Sequence, residues 1–137
     1  MRKKITRILL IDDDKPTNFY NKRIVEKHED FDEVVVMDSA IRALTYFEAV
    51  SRGEEKKPDI VFLDINMPVM NGWEFLDEFA KIKETMLDGI SIFMLTTSLD
   101  QEERKRAEQN DLVQGFYSKP LSGDVLDIIA NKNLVNK

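Results

Sequence analysis

No cysteine occurs among the 137 residues, so the chain carries no disulfide framework. It also lacks an apolar run long enough to span a bilayer, and it has no basic start followed by an apolar stretch and a cleavage site. Neither a membrane segment nor secretion is indicated, and the expected location is the cytoplasm. Basic clusters are scarce: Lys and Arg lie dispersed among acids apart from Arg2-Lys3-Lys4 and Arg104-Lys105-Arg106, which argues against a nucleic-acid surface at a net charge of −6. Only one histidine is present, His28, on a polar helical stretch where it is expected to be solvated. No internal repeat, low-complexity tract or linker interrupts the chain. With 42% hydrophobic and 34% charged residues, the composition suits one compact domain over 1–137, its core over about 5–130.

Apolar runs and helical patterns alternate along the chain. "KITRILLID" runs through four apolar residues before Asp12, and "DDDKPTNFYNKRIVEK" places Pro16 near a helix start, with Phe19, Arg23, Ile24 and Lys27 at helical spacing. "EVVVMDS" is a short β-branched strand, and "AIRALTYFEAV" follows as a helix with Ile41, Leu44, Thr45 and Ala49 near one face. "SRGEEKKP" is a charged loop. "DIVFLD" is continuous in hydrophobicity, as a strand covered on both faces must be. A third helix begins after Gly72, where Phe75, Phe79 and Ile82 fall on one side.

The loop "KETMLDG" leads to a fourth apolar strand, "ISIFMLTTS". The helix "LDQEERKRAEQND" carries acids in its first turn, which suits the helix dipole, but offers only Leu99, Ala107 and Leu112 for burial. It is expected to pack shallowly and to be available to a partner. "GFYSKP" is a short fifth strand cut off by Pro120, and "SGDVLDIIANK" is a last helix with Leu121, Val125, Ile128 and Ile129 inward. Five strand-helix units imply an α/β fold: an open, doubly wound parallel sheet with helices on both faces. The flavodoxin-like order 2-1-3-4-5 puts the first and third strands side by side, with the ligand crevice at their carboxyl ends.

Acids gather at that crevice. Asp12, Asp13 and Asp14 follow the first strand, and Asp64 ends the third. Carboxylates brought together repel one another unless a cation neutralises them, and oxygen ligands without nearby His or Cys select a hard ion such as Mg²⁺. A strand-to-helix turn capped by Asp14 or Thr17 accounts for one or two of these acids, not for a matching acid on another strand. Thr96 at the tip of the fourth strand and Lys119 before Pro120 add a hydroxyl and an ammonium, donors for an oxyanion. Thr97, Ser98 and Asp100 compete as the cap of the fourth helix. Such a set suits phosphoryl transfer, where positioning and charge neutralisation do most of the work.

In order along the chain, "LLIDDD", "DIVFLDINMPVMNG", "IFMLTTS" and "FYSKP" resemble the motifs of the receiver domains of two-component response regulators, over about Ile5 to Ala130. The resemblance implies that Asp64 is the phosphoacceptor, taking a phosphoryl group from a sensor histidine kinase or a His-containing phosphotransfer protein. It implies that Asp12, Asp13, Asp64 and the backbone carbonyl of Asn66 hold Mg²⁺. Thr96 and Lys119 would contact the phosphoryl oxygens, and Phe116 would change rotamer as Thr96 moves. It also suggests a cis Lys119-Pro120 bond. The domain would catalyse its own phosphorylation and dephosphorylation without being a conventional enzyme. Phe116 stands where Tyr is frequent, and Thr97 where smaller residues are common, so its bulk is expected to slow dephosphorylation.

These features imply a stand-alone phosphorylation switch with no effector domain. Its output would pass to a partner on the face made by the fourth helix, fifth strand and fifth helix, or onward by relay to a phosphotransfer histidine. Two other classes are a pseudo-receiver scaffold, which the full set of Asp12, Asp13, Asp64, Thr96 and Lys119 disfavours, and a metal-dependent aspartyl phosphohydrolase. The latter generally wants a second acid two residues after its nucleophile, where this chain has Asn66. No Gly-rich loop follows the first strand to hold a nucleotide.

Overall fold

The computed structural model describes residues 5–82, 89–97 and 100–135. Strands and helices alternate throughout: β1 (Ile5–Ile11), α1 (Lys15–Lys27), β2 (Phe31–Met37), α2 (Ala40–Ser51), β3 (Ile60–Asp64), α3 (Gly72–Ile82), β4 (Ser91–Thr96), α4 (Gln101–Glu108), β5 (Val113–Ser118) and α5 (Gly123–Val135). The five strands form one sheet in the order β2-β1-β3-β4-β5, every neighbouring pair parallel. The expected α/β architecture and strand order are therefore observed. No helix among the described residues is long and apolar enough to cross a membrane.

Strand periodicity divides the core into two layers. Leu9, Ile11, Val61 and Leu63 point to one face and pack with Phe47, Phe75 and Phe79 from α2 and α3. Ile8, Leu10, Ile60 and Phe62 point to the other and meet Val25 of α1 and Leu126, Ile129 and Ala130 of α5. The first layer is rich in rings: Phe47 meets Phe79 edge to face at 4.9 Å. Each fully buried Phe contributes about 1.5–3 kcal/mol relative to exposure.

Several helix faces differ from the sequence expectation. On α1 the buried residues are Asn18, Asn21 and Val25, while Phe19 is 65% exposed. Two asparagines turn inward with backbone partners from elsewhere: Asn18 Nδ2 donates to the Asp12 carbonyl at 2.7 Å, while its buried Oδ1 has no hydrogen-bond partner among the described residues, and Asn21 Oδ1 accepts from the Leu121 N–H at 3.1 Å. On α2 the inward set is Ala40, Ala43, Tyr46, Phe47 and Val50, which leaves Ile41 and Thr45 exposed. The expected face was rotated because Ile41 and the aromatic pair Tyr46-Phe47 cannot share one side, and the larger pair wins the core. On α5, Leu126 is buried and Ile128 is exposed. Phe75 and Phe79 are buried as expected.

His28 is not a solvated surface residue. It follows α1, its Nε2 lies 2.7 Å from Asp127 Oδ1 on α5, and its ring meets Phe31 edge to face at 4.9 Å. Its Nδ1 accepts the Asp30 N–H, which leaves Nε2 to carry the proton toward Asp127. Both ends of β2 and β5 also shift: β2 begins at Phe31 rather than Glu33, and β5 runs Val113–Ser118, leaving Lys119 and Pro120 beyond it. The expected burial of Leu99, the cap role considered for Ser98 and the loop at 83–88 lie outside the described residues.

Candidate functional site

Sheet register converts distant sequence positions into neighbours. Ile11 of β1 is level with Leu63 of β3, and Asp64 is level with Leu95 of β4, so the residues just past Ile11, Leu63 and Leu95 emerge together at one edge. Asp12 is buried and tightly held there. Its N–H donates to the Met37 carbonyl at 3.1 Å, its carbonyl accepts from Asn18, and its Oδ1 accepts from the Asp14 N–H at 2.9 Å. Asp13 is exposed. Asp14 caps α1, accepting from the Thr17 N–H at 3.0 Å and from the Thr17 hydroxyl, which decides between the two cap candidates in its favour.

Asp64 is only 6% exposed, and the loop behind it is tightly folded. Val69 takes a φ of 70°, a left-handed conformation that a β-branched residue rarely adopts. Gly72 donates its N–H to the Ile65 carbonyl at 2.8 Å, and a Cβ at Gly72 would fall 2.6 Å from the Asp64 carbonyl oxygen. Only glycine fits. Asn71 and Glu74 then cap α3 reciprocally, each backbone N–H donating to the other's side chain at 2.9 Å.

Lys119, just beyond the end of edge strand β5, reaches Asp12 and Asp64. Its backbone N–H donates to the Thr96 carbonyl at 2.9 Å, and the Lys119-Pro120 bond is cis. Nζ lies 2.6 Å from Asp12 Oδ2 and 2.8 Å from Asp64 Oδ1. Burial pushes the Asp64 carboxyl above its ordinary range, against the hydrogen bond from Lys119, and the charges of Asp12 and Asp13 push the same way. Burial also disfavours the Lys119 ammonium, but its bonds to Asp12 and Asp64 outweigh that, and the group sits above its usual range.

One carboxylate oxygen each from Asp12, Asp13 and Asp64 lie within 4.8 Å of one another. Three acids, two of them buried, with one ammonium against them leave negative charge uncompensated, so the donor set fits a hard divalent cation. Thr96 is buried at the end of β4, Asn66 is exposed in the loop after β3, and Thr97 is exposed. Phe116 lies on β5, partly buried against the layer of α2 and α3, under the guanidinium of Arg104 at 5.2 Å. Asp100 caps α4.

Asn18, Gly72 and Arg104 were missed at the level of sequence. An asparagine inside a polar helix gives no sign that it will hold a site carbonyl. Gly72 did carry a signal, since Asn71-Gly72 is a turn dipeptide at the end of the loop that joins β3 to α3.

The family model for the response regulator receiver domain matches residues 8–131. The chain is 29% identical over 123 residues to protein PilH of Pseudomonas aeruginosa, covering 89% of this chain and 92% of that protein. It is 31% identical over 126 residues to chemotaxis protein CheY of Halobacterium salinarum, covering 91% and 94%. A crystal structure of a two component response regulator from Cytophaga hutchinsonii superposes with a TM-score of 0.90 at 33% identity, over 98% of this chain and all of that one.

Proposed function

The chain belongs to the response regulator receiver domain family, whose general function is that of a phosphoryl-accepting switch, and from that premise we propose that Asp64 is the acceptor. The donor is a phosphohistidine on a sensor histidine kinase or a phosphotransfer protein. Asp64 Oδ attacks the phosphorus, the O–P bond forms as the P–N bond breaks, and the electron pair returns to the imidazole, which takes a proton from solvent. Hydrolysis of the aspartyl phosphate by water releases inorganic phosphate and restores the carboxylate, so the domain resets itself.

The observation that carries this reading is Lys119 Nζ at hydrogen-bonding distance from Asp12 and Asp64 in a mostly buried site. The ammonium opposes the effect of burial on the Asp64 carboxyl, and once Asp64 is esterified it is released to a phosphoryl oxygen. The Thr96 hydroxyl bonds a second phosphoryl oxygen, and Phe116 follows the movement of Thr96. Asp12, Asp13, Asp64 and the Asn66 carbonyl would hold Mg²⁺. When bound, the ion supplies neutralisation of the phosphoryl oxygens. Thr97, at the mouth of the site, restricts water and lengthens the lifetime of the phosphorylated form.

The output is read by a partner on the α4, β5 and α5 face, or the phosphoryl group is relayed onward to another histidine. We set the exchange in the cytoplasm, where ATP-fuelled kinases charge their histidines. Intact-protein mass after incubation with phosphoramidate, with Mg²⁺ or with chelator, tests the acceptor. One added phosphoryl group is expected only with Mg²⁺ and only when Asp64 is present. A phosphorylated Asp64→Asn protein would overturn the assignment.

A further inference from the structure

The helix α4 buries only Ala107, too little apolar surface to hold it against the sheet. Two guanidinium-ring contacts supply the rest. Arg104 lies over the Phe116 ring of β5, its Cζ 5.2 Å from the centroid, and Arg106 lies over Trp73 of α3 at 4.4 Å. Trp73 Nε1 also donates to Glu103 Oε1 at 3.4 Å. At about 100° per residue, Glu103 and Ala107 face the sheet while Arg104 and Arg106 project to opposite flanks. The helix is thus clamped on both sides by one aromatic each.

The two clamps are not equivalent. Trp73 is 6% exposed and built into the ring cluster, so it is a fixed anchor. Phe116 is only partly buried, and beside it lies a hollow of about 420 Å³ bordered by Arg104, Ala107, Val113 and Gly115. Its ring has room to leave. We infer that Arg104 is a positioning residue of the switch: it holds Phe116 in its resting rotamer and so opposes phosphorylation until the ring swings out from under the guanidinium. This rests on the reading of Asp64 as phosphoacceptor and Phe116 as switch residue.

A contact made only in the resting state lowers the population of the other state by its own worth, and the linkage is reciprocal. An exposed guanidinium-ring contact corresponds to about a two- to fivefold shift. Arg104 is exposed and glutamine has nearly the same helix propensity, so Arg104→Gln keeps α4 helical, and Ala107 and Arg106 over Trp73 still anchor it.

The test is a double-mutant cycle of Arg104→Gln and Phe116→Leu, read in two ways. Initial rates of phosphorylation by phosphoramidate with Mg²⁺ should rise about two- to fivefold for Arg104→Gln, although losing a cation alone would slow an anionic donor. In the Phe116→Leu background the same change should have no effect. An unchanged or slower rate, or an equal effect in both backgrounds, would overturn the proposal. Separately, side-chain couplings in NMR spectra of the unphosphorylated protein should show Phe116 populating a second rotamer in Arg104→Gln. An unaltered rotamer distribution would also overturn it. Absence of phosphorylation in the wild type would instead remove the proposed function, leaving the rotamer measurement to judge the clamp.

Discussion

The ammonium of Lys119 stands 2.8 Å from the carboxylate of Asp64, making the lysine the resting counter-ion of a buried acid. The sheet edge brings both into one crevice with Asp12 and Asp13. Their mutual dependence sets the pH and ion behaviour expected of the protein.

Asp64 costs the fold stability when charged. Its carboxyl is pushed up by burial first, with Lys119 pulling the other way, so the folded chain binds the proton more tightly than the unfolded chain. Stability is then fully present below the ordinary value of 3.8 and falls as pH rises through the raised folded value. Asp64→Asn removes that slope. Measured by calorimetry, its Tm should gain on the wild type as pH rises across this window, while phosphorylation is abolished. A difference independent of pH would contradict the assignment of the burial cost to Asp64.

Lys119 behaves with the opposite sign. Burial opposes its charge, but its bonds to Asp12 and Asp64 raise it above the ordinary 10.5, so its stabilising contribution is present below that value and lost as pH rises beyond it. Lys119→Ala leaves two buried carboxylates without their donor. It should fold, lose about 1–3 kcal/mol at neutral pH in urea denaturation, and be phosphorylated poorly.

Metal binding should show as stability. A cation held by Asp12, Asp13 and Asp64 binds the folded chain alone, adding about 2.7 kcal/mol when its concentration is a hundred times its dissociation constant. Thermal melts with Mg²⁺ and with EDTA measure this directly. Asp13→Ala, at an exposed position, should reduce the Mg²⁺ shift and, by removing a like charge beside Asp64, leave the melt in EDTA unchanged or slightly raised.

Two glycines should respond oppositely to alanine. At Gly72 a Cβ meets the Asp64 carbonyl at 2.6 Å and the Ile65 Cα at 3.0 Å, both backbone atoms that cannot yield cheaply. Gly72→Ala should cost about 1–3 kcal/mol and slow phosphorylation by displacing Asp64. At Gly123, where α5 begins, no atom lies within 4 Å of the added carbon, and Gly123→Ala should be neutral or stabilising by up to about 1 kcal/mol. Equal effects at the two sites would refute the steric account.

The architecture was legible because strand signals are local. "RILLI", "DIVFL" and "SIFML" are apolar on both faces, which only a covered parallel sheet can use, and their alternation with helical stretches left few topologies. The acids at the strand ends could be matched to one crevice because strand order follows from those connections. Helix faces were harder. On α1 the inward positions are Asn18 and Asn21, whose burial depends on a carbonyl at Asp12 and an N–H at Leu121. Nothing local announces such partners.

The order of elements and the acids that follow the first and third strands were thus legible from short-range patterning: period-two and period-3.6 hydrophobicity, turn residues, and charge placed where a strand stops. Tertiary structure alone decided which side of each helix is buried, that Gly72 must lack a Cβ, and that Lys119 rests between Asp12 and Asp64. It also decided that a helix with a single buried alanine is held by Arg104 and Arg106 over two rings. Those outcomes depend on distances between groups remote in the chain, and the free energy of burying a polar group has no value until its partner is in place.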